Sequence, residues 1–328
     1  MIIIRTLLVT VLLSLIVGCQ PQQSDTVKQH PHAATGAYDA AISEDGRYSL
    51  VSTVEHGVAA WDNQVNALKF QWYLSEDEQN LVIALDIAAD NSTAVTATKE
   101  QFALWDMNSG ENLGYYQIDQ SHIRDIALSK GGRYVLYGRA DGVAVHIDLQ
   151  TGRRLEFLGH QEKINAVALS PNGRYALTGG NDYSAYLWDT RSGQVVYRFN
   201  HASRVTQVAL DPQGRFAFSA GSKRQATIWD LTTGAQHSNL QYIARQKIFS
   251  AVRFSADGQW LATGSPSREV ALWNISSGKR VLDYQVAARA NSQPKSAVVF
   301  AVAFNKQNQL ITESSSGLSE YFEIKRAP

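Results

Sequence analysis

Short runs of alternating apolar and polar residues, each ended by a glycine turn, recur along most of the chain. The segments that begin at Ile164, Val205 and Phe249 show the pattern most clearly: "INAVALSPNGRYALTGG", "VTQVALDPQGRFAFSAG" and "FSAVRFSADGQWLATGS". Alternation with a period of two, interrupted by Gly turns, predicts short antiparallel strands. Each segment continues with a third strand that ends in Trp-Asp or Trp-Asn, then a turn and a fourth apolar stretch. The pattern therefore predicts four strands per repeat.

Seven such repeats follow one another in a single frame. The pair that closes the third strand begins, at intervals of 41 to 49 residues, at Trp61, Trp105, Ile147, Trp188, Trp229, Trp273 and Phe322. These units resemble WD40 repeats, and the resemblance covers about residues 25 to 325. It implies an all-β fold, a single seven-bladed β-propeller with four antiparallel strands per blade around a central channel. Inner strands such as "AVALS" and "DIALS" use small and branched residues, which suits the crowded centre of the ring.

Ring closure gives the N-terminus a structural role. Only five residues follow Glu323, too few to turn and build the fourth strand of the last blade. In WD40 proteins this strand usually comes from the N-terminus, and the candidate here is Ser24–His30. Its apolar content is poor, because Val27 is its only aliphatic residue. The alternative is a three-stranded seventh blade with a longer free tether.

The first 18 residues differ from the repeats. Met1–Gly18 is apolar around a single basic residue, Arg5, and the run Leu7–Val17 is shorter than the roughly 20 residues that span a bilayer. The sequence Ile16-Val17-Gly18-Cys19 resembles the bacterial lipobox. That resemblance implies a cleaved signal peptide (1–18), a lipidated Cys19 with a short tether (19–24) and the propeller (25–328). An uncleaved signal anchor is the alternative.

Lipidation would also set the location. Two or more acyl chains give stable membrane anchoring. In enteric-type lipoprotein sorting, a Gln such as Gln20 after the lipidated Cys implies export to the outer membrane, facing the periplasm. We therefore expect a bacterial envelope protein that is held in the bilayer through Cys19.

Composition narrows the function classes. The chain has 30 basic and 30 acidic residues, so it lacks the positive charge of a typical nucleic-acid-binding protein. One cysteine permits neither an internal disulfide nor a thiolate metal cluster. The sequence contains no HExxH, GxSxG, CxxC, P-loop or dinucleotide-binding pattern. We expect no catalytic residue, metal or cofactor, and a chain that is monomeric on its own.

In WD40 proteins the usual interaction surface is formed by the loops that enter each inner strand and those that join the second and third strands. These loops are acidic near the second repeat and basic in repeats five to seven. They are either ordinary solvated loops or a basic half-face that meets an acidic partner. Tyr38 and Phe300 could add an aromatic anchor, although plain packing also explains them. The candidate charged contacts are Glu76, Asp77, Glu78, Lys223, Arg224, Arg245, Lys247, Arg268, Arg289 and Lys295.

One polar set has a structural interpretation. His160, Asp182, Thr178 and Trp188 occupy the positions of the hydrogen-bonded set that ties loop to blade in WD40 repeats. We interpret His160 and Asp182 as part of the scaffold and not as a catalytic dyad.

Three functions remain. The first is a non-catalytic protein–protein interaction scaffold in the cell envelope, in its assembly or maintenance. The alternatives are a propeller face that binds a small ligand or polysaccharide, and a propeller enzyme. The scaffold is favoured because every recurring residue has a structural explanation and no convergent polar group is left over.

Overall fold

Seven four-stranded antiparallel sheets are arranged as the blades of a propeller. The computed structural model describes residues 26–74, 81–223, 225–243 and 247–325. The inner strand of each of these sheets contacts the inner strands of the two neighbouring sheets, which closes the ring. The predicted seven-bladed propeller is therefore confirmed.

The strands are numbered in chain order. The outer strand of blade seven comes first, as β1 (Thr26–Pro31). Blade one contains β2 (Asp39–Ile42), β3 (Tyr48–Thr53), β4 (Gly57–Asp62) and β5 (Ala67–Trp72). Blade two contains β6 (Ala84–Ile87), β7 (Thr93–Ala97), β8 (Gln101–Asp106) and β9 (Asn112–Gln117). Blade three contains β10 (Ile123–Leu128), β11 (Tyr134–Arg139), β12 (Ala144–Asp148) and β13 (Arg153–Phe157), with a 3-10 turn at Lys130–Gly132.

The remaining blades follow the same order. Blade four contains β14 (Ile164–Leu169), β15 (Tyr175–Gly180), β16 (Ser184–Asp189) and β17 (Val195–Asn200). Blade five contains β18 (Val205–Leu210), β19 (Phe216–Gly221), β20 (Ala226–Asp230) and β21 (Gln236–Asn239). Blade six contains β22 (Ala251–Phe254), β23 (Trp260–Gly264), β24 (Glu269–Asn274) and β25 (Arg280–Gln285). Blade seven is completed by β26 (Val299–Phe304), β27 (Gln309–Ser314) and β28 (Leu318–Glu323).

The hydrophobic core lies between blades. One cluster joins Trp72 of blade one to Trp105 of blade two, whose rings stack 5.0 Å apart. Another joins Phe157 of blade three to Trp188 of blade four, stacked at 4.7 Å. A sheet buried on both faces needs a neighbour on each side, so the blades stabilise one another around the ring.

The N-terminal strand closes the ring, as the sequence predicts. It is described over Thr26–Pro31, one residue past the predicted end at His30, and residues 24 and 25 of the predicted strand lie outside the described residues. Strand β1 pairs antiparallel with β28, from Thr26 opposite Phe322 to Pro31 opposite Leu318. It therefore begins at the edge of the propeller where the first–second and third–fourth strand turns lie. We call this edge the turn face and the opposite edge the loop face.

Candidate interaction face and central channel

The loop face is electrically polarised. It is formed by the loops that enter the inner strands and by those between second and third strands. In blades one to three the described loop residues 54–56, 73–74, 81–83, 98–100, 118–122 and 140–142 contain four acidic residues and one basic residue. In blades five to seven the described loop residues 201–204, 222–223, 225, 240–243, 247–250, 265–268, 286–298 and 315–317 contain six basic residues and no Asp or Glu. The fold thus collects opposite charges on opposite sides of one face.

Four exposed cations define what we call the basic arc: Arg204, Lys223, Arg289 and Lys295. Arg204 and Lys223 lie together at one corner of blade five, because Ser222 N donates to Arg204 O at 3.0 Å and Lys223 N donates to Ser203 Oγ at 3.0 Å. Arg289 Nη2 donates to Thr35 O at 3.3 Å, which links the loop into blade seven to the loop into blade one. Arg204 was missed in the sequence analysis, because the approach of its loop to Lys223 depends on backbone bonds between two loops of the blade.

Lys247 is not the exposed surface contact that the sequence analysis predicted. Its side chain is 10% exposed, and Nζ lies 2.6 Å from Glu269 Oε1. The ammonium also lies 5.5 to 5.7 Å from the ring centroids of Tyr242, Phe249 and Trp273. A cation held by a carboxylate and three aromatic faces is part of the blade and offers little charge to a partner.

Arg268 is also engaged by the fold. Its Nε donates to Val286 O at 2.8 Å, and its backbone has a φ of 70°. The remaining predicted charges, Glu76, Asp77, Glu78, Arg224 and Arg245, lie outside the described residues, as does Cys19.

The two predicted aromatic anchors have different surroundings. Tyr38 is 55% exposed at the entrance of blade one. Phe300 is partly buried against Ala37, Ala40 and Val51 and lines the channel. Only Tyr38 presents an open ring to a partner.

His160, Asp182 and Thr178 come together between loop and blade. His160 Nδ1 lies 3.0 Å from both Asp182 carboxylate oxygens, and Nε2 lies 2.9 Å from Thr178 Oγ1. Burial would raise the pKa of Asp182, but the hydrogen bond and charge of His160 outweigh it and lower that pKa. Among the described residues none accepts a hydrogen bond from Trp188 Nε1, so the tryptophan joins the set by stacking on Phe157.

The central channel contains charged residues that the sequence analysis did not single out. Its cavity of about 340 Å³ is lined by Asp39, Asp86, Asp125, Arg124 and Arg253, among mostly small and apolar residues. This convergence of charged residues in the channel was overlooked in the sequence analysis. The signal was an Asp within inner strands whose other residues are small or branched, as in "YDAAI", "ALDIA" and "IRDIA".

The channel carboxylates tie adjacent blades. Asp86 accepts hydrogen bonds from Ile87 N at 2.9 Å and from Leu128 N of the next blade at 2.8 Å. Burial outweighs these bonds and raises the pKa of Asp86 to about 6. Arg253 Nη2, in blade six, donates to Ile42 O of blade one at 2.9 Å and so reaches past blade seven.

Asp125 repeats this arrangement one blade further on. It accepts hydrogen bonds from Ile126 N at 3.0 Å and from Val167 N of blade four at 2.8 Å. Burial outweighs both bonds, and the nearby charge of Asp86 adds to it, which raises the pKa of Asp125 to about 7. Because both oxygens of Asp86 and Asp125 are occupied by backbone, these groups serve the fold.

Metal-binding clusters and membrane-spanning helices are both absent from the described residues. No group of three or more His, Cys, Asp or Glu within residues 26–74, 81–223, 225–243 and 247–325 is arranged to hold a metal ion. In the same ranges, no helix has the length and apolar content needed to cross a membrane.

Comparisons with known proteins support the repeat assignment. Residues 152–189, 193–230 and 241–274 match the family model described as WD domain, G-beta repeat. A WD repeat-containing protein SL1-17 of Schistosoma mansoni is 27% identical over 109 residues, which cover 33% of this chain and 36% of that relative. The chain thus matches about a third of the length of its curated relative. Propellers of WD40 repeats are typically protein-interaction scaffolds and are generally non-catalytic.

Proposed function

We propose that this protein is a non-catalytic scaffold that binds a protein partner through its loop face while a lipid on Cys19 holds it to a bacterial membrane. The observation that carries the interaction surface is the charge polarity of that face: among the described loop residues, blades five to seven have six basic and no acidic residues, and blades one to three have four acidic and one basic. A partner with the complementary arrangement is attracted and turned into one orientation before contact. An acidic patch on the partner faces the basic arc.

Channel geometry favours a scaffold over an enzyme or a small-ligand binder. The carboxylates of Asp86 and Asp125 have raised pKa values, which is common at catalytic sites. Their oxygens, however, already accept backbone N–H groups of two blades. Groups that are occupied in this way position strands and are poorly placed to bind a substrate.

The position of β1 supports an orientation on the membrane. Strand β1 begins at Thr26 on the turn face. Thr26 is the seventh residue after Cys19, and seven extended residues span at most about 25 Å. Lipid on Cys19 would keep the turn face near the bilayer, so that the loop face points away. With Gln20 after the cysteine, we place the protein on the outer membrane, facing the periplasm, with a role in envelope assembly or maintenance.

Affinity capture of the anchored protein from detergent extracts tests the interaction surface. Changing Arg204, Lys223, Arg289 and Lys295 together to Glu should abolish capture of a partner that the unmodified protein retains. The matched control changes four exposed turn-face cations to Glu, which alters net charge equally: Lys130, Arg191, Lys279 and Lys306.

The expected result is loss of the partner from the basic-arc variant alone, with wild-type capture weakening as salt is raised. A partner that stays bound to the basic-arc variant would overturn the proposed surface.

A further inference from the structure

The strand that closes the ring has little apolar support. Four of the six other outer strands bury an aromatic side chain: Trp72 in β5, Phe157 in β13, Phe199 in β17 and Tyr284 in β25. Strand β1 has none, and its single aliphatic residue, Val27, is 52% exposed. Burying one large apolar side chain contributes about 1.5–3 kcal/mol, so β1 lacks a contribution that these four strands have. Polar contacts must compensate.

One of these contacts is made by Glu320, a fully buried residue of β28. Its carboxylate accepts hydrogen bonds from Gln29 Nε2 at 2.8 Å and Thr26 Oγ1 at 3.4 Å, both in β1. It also accepts one from Ala287 N at 2.9 Å, in the loop that enters blade seven. Glu320 thus joins the closing strand to the neighbouring loop.

The second contact is made by His32, which directly follows β1. Its Nδ1 lies 2.8 Å from Glu313 Oε1 of blade seven, and these two side chains are 0% and 1% exposed. Its Nε2 lies 3.3 Å from Asn66 Oδ1 of blade one, and its ring stacks on Trp61 at 4.4 Å. With the Asn66 amide in this orientation both partner atoms are acceptors, so both ring nitrogens donate. The contacts therefore fit an imidazolium, which carries a proton on each nitrogen.

We propose that β1 and His32 form a proton-linked latch, in which loss of the His32 proton as pH rises releases β1 from blade seven while the other six blades stay folded. Deprotonation leaves one ring nitrogen without a hydrogen to donate and leaves the buried Glu313 carboxylate without a cation. Loss of a compensating charge in a buried pair is costly. The adjoining backbone hydrogen bonds should then open. His32 N and Ala33 N donate them to Gly317 O at 2.8 and 3.0 Å.

The titration of the neighbouring groups mostly acts in the same direction. Burial lowers the pKa of His32, but the charge and hydrogen bond of Glu313 outweigh it and raise that pKa above its usual value. Burial raises the pKa of Glu320 despite its hydrogen bonds and the charge of Arg268. The closed ring therefore binds both protons more tightly than the open one, and closure weakens as pH rises through these pKa values.

His30 opposes this effect, because burial and the charges of Lys28 and His32 lower its pKa. Its contribution to closure is lost as pH falls, so a His30→Gln variant should show a steeper loss of closure with rising pH than the wild type. The ionisable groups around the latch are Lys28, His30, Asp62, Arg268, Glu313, Glu320 and Tyr321.

Hydrogen–deuterium exchange tests the latch within one molecule. We expect the exchange of β1 amides, divided by that of β17 amides and corrected for intrinsic rates, to rise between about pH 5 and about pH 8. One unit of pKa difference between closed and open states corresponds to about a tenfold change in this ratio. A ratio that does not change with pH, or β1 and β17 opening together, would overturn the proposal.

Two variants should move the ratio in opposite directions. His32→Gln removes the cation and should give a high ratio already at acidic pH, with little pH dependence. Glu320→Gln keeps an acceptor without the charge and should give a lower ratio than wild type at alkaline pH. A merely structural role predicts that both changes loosen β1, and that result would contradict the latch.

A matched surface control is available in His122, which is exposed and 3.9 Å from Glu100. His122→Gln should leave the ratio unchanged at every pH.

Discussion

At the scale of single residues, a side-chain contact can be predicted from the sequence when both of its residues belong to the same repeat. His160 and Thr178 are 18 residues apart, within one repeat, and their approach follows from the resemblance of that repeat to WD40 units. The bond from Val167 N to Asp125 spans 42 residues and joins two blades. No single repeat encodes such a contact, because it depends on how closely neighbouring inner strands approach at the channel.

Asp125 also yields a prediction on pH dependence. Because its pKa is raised to about 7, the folded protein holds a proton that the unfolded chain releases, and the associated stability is lost as pH rises from about 4 to about 7. Asp125→Asn should remove this part of the pH slope of the unfolding free energy. His146 and His201, whose pKa values burial lowers to about 4, act in the opposite sense, so the informative quantity is the slope difference between variant and wild type.

Urea denaturation at several pH values measures this slope. Asp119→Asn, at an exposed loop position, is the control and should leave the slope unchanged. Equal slopes for wild type and Asp125→Asn would show that the channel carboxylate does not titrate as described.

At the scale of elements, the turns between third and fourth strands connect blades as well as strands. Gly152 and Gly278 close equivalent turns, with φ of 71° and 65° and with N–H donating four residues back at 2.8 Å. A Cβ on Gly152 would meet no atom within 4 Å, whereas one on Gly278 would lie 1.9 Å from Asn239 O of blade five. The two turns therefore have the same backbone conformation, but only the Gly278 turn packs against a neighbouring blade.

This pair separates backbone strain from contact between blades. Gly152→Ala should cost about 1 kcal/mol of unfolding free energy, the price of a left-handed Ala. Gly278→Ala should cost several kcal/mol, because blade five must also move. Thermal and urea unfolding measure both. Similar losses for the two variants would mean that the contact between blades five and six adds nothing.

The closing strand illustrates the limits of prediction for an element. Its existence followed from the repeat count, since the last repeat lacks a fourth strand. It extends past the predicted end at His30 to Pro31 because the pairing with β28 continues to Leu318, which the strand's own pattern does not reveal. A strand with a single aliphatic residue carries little information on its own burial.

At the scale of the whole molecule, the proposed anchor and the propeller are separable. Cys19→Ser removes the only thiol of the chain and precedes every described strand. We expect this variant to leave the membrane fraction, to lose palmitate labelling and to keep the wild-type circular dichroism spectrum and melting temperature. Ser14→Ala, in the same leader, is the control and should stay membrane-bound. A Cys19→Ser protein that remains in the membrane fraction would refute lipid anchoring at this residue.

The sequence alone determined the repeat, the number of blades and the origin of the closing strand. Those properties follow from the two-residue period, the Gly turns and the seven pairs that close a third strand, of which four are Trp-Asp. Only the tertiary structure decided which charges act together. It placed Lys247 among aromatic rings, brought Arg204 beside Lys223, set Asp86 and Asp125 between blades and put His32 in a buried pair with Glu313. The physical reason is that a closed ring joins residues from different repeats, and their burial and charge exist only after closure.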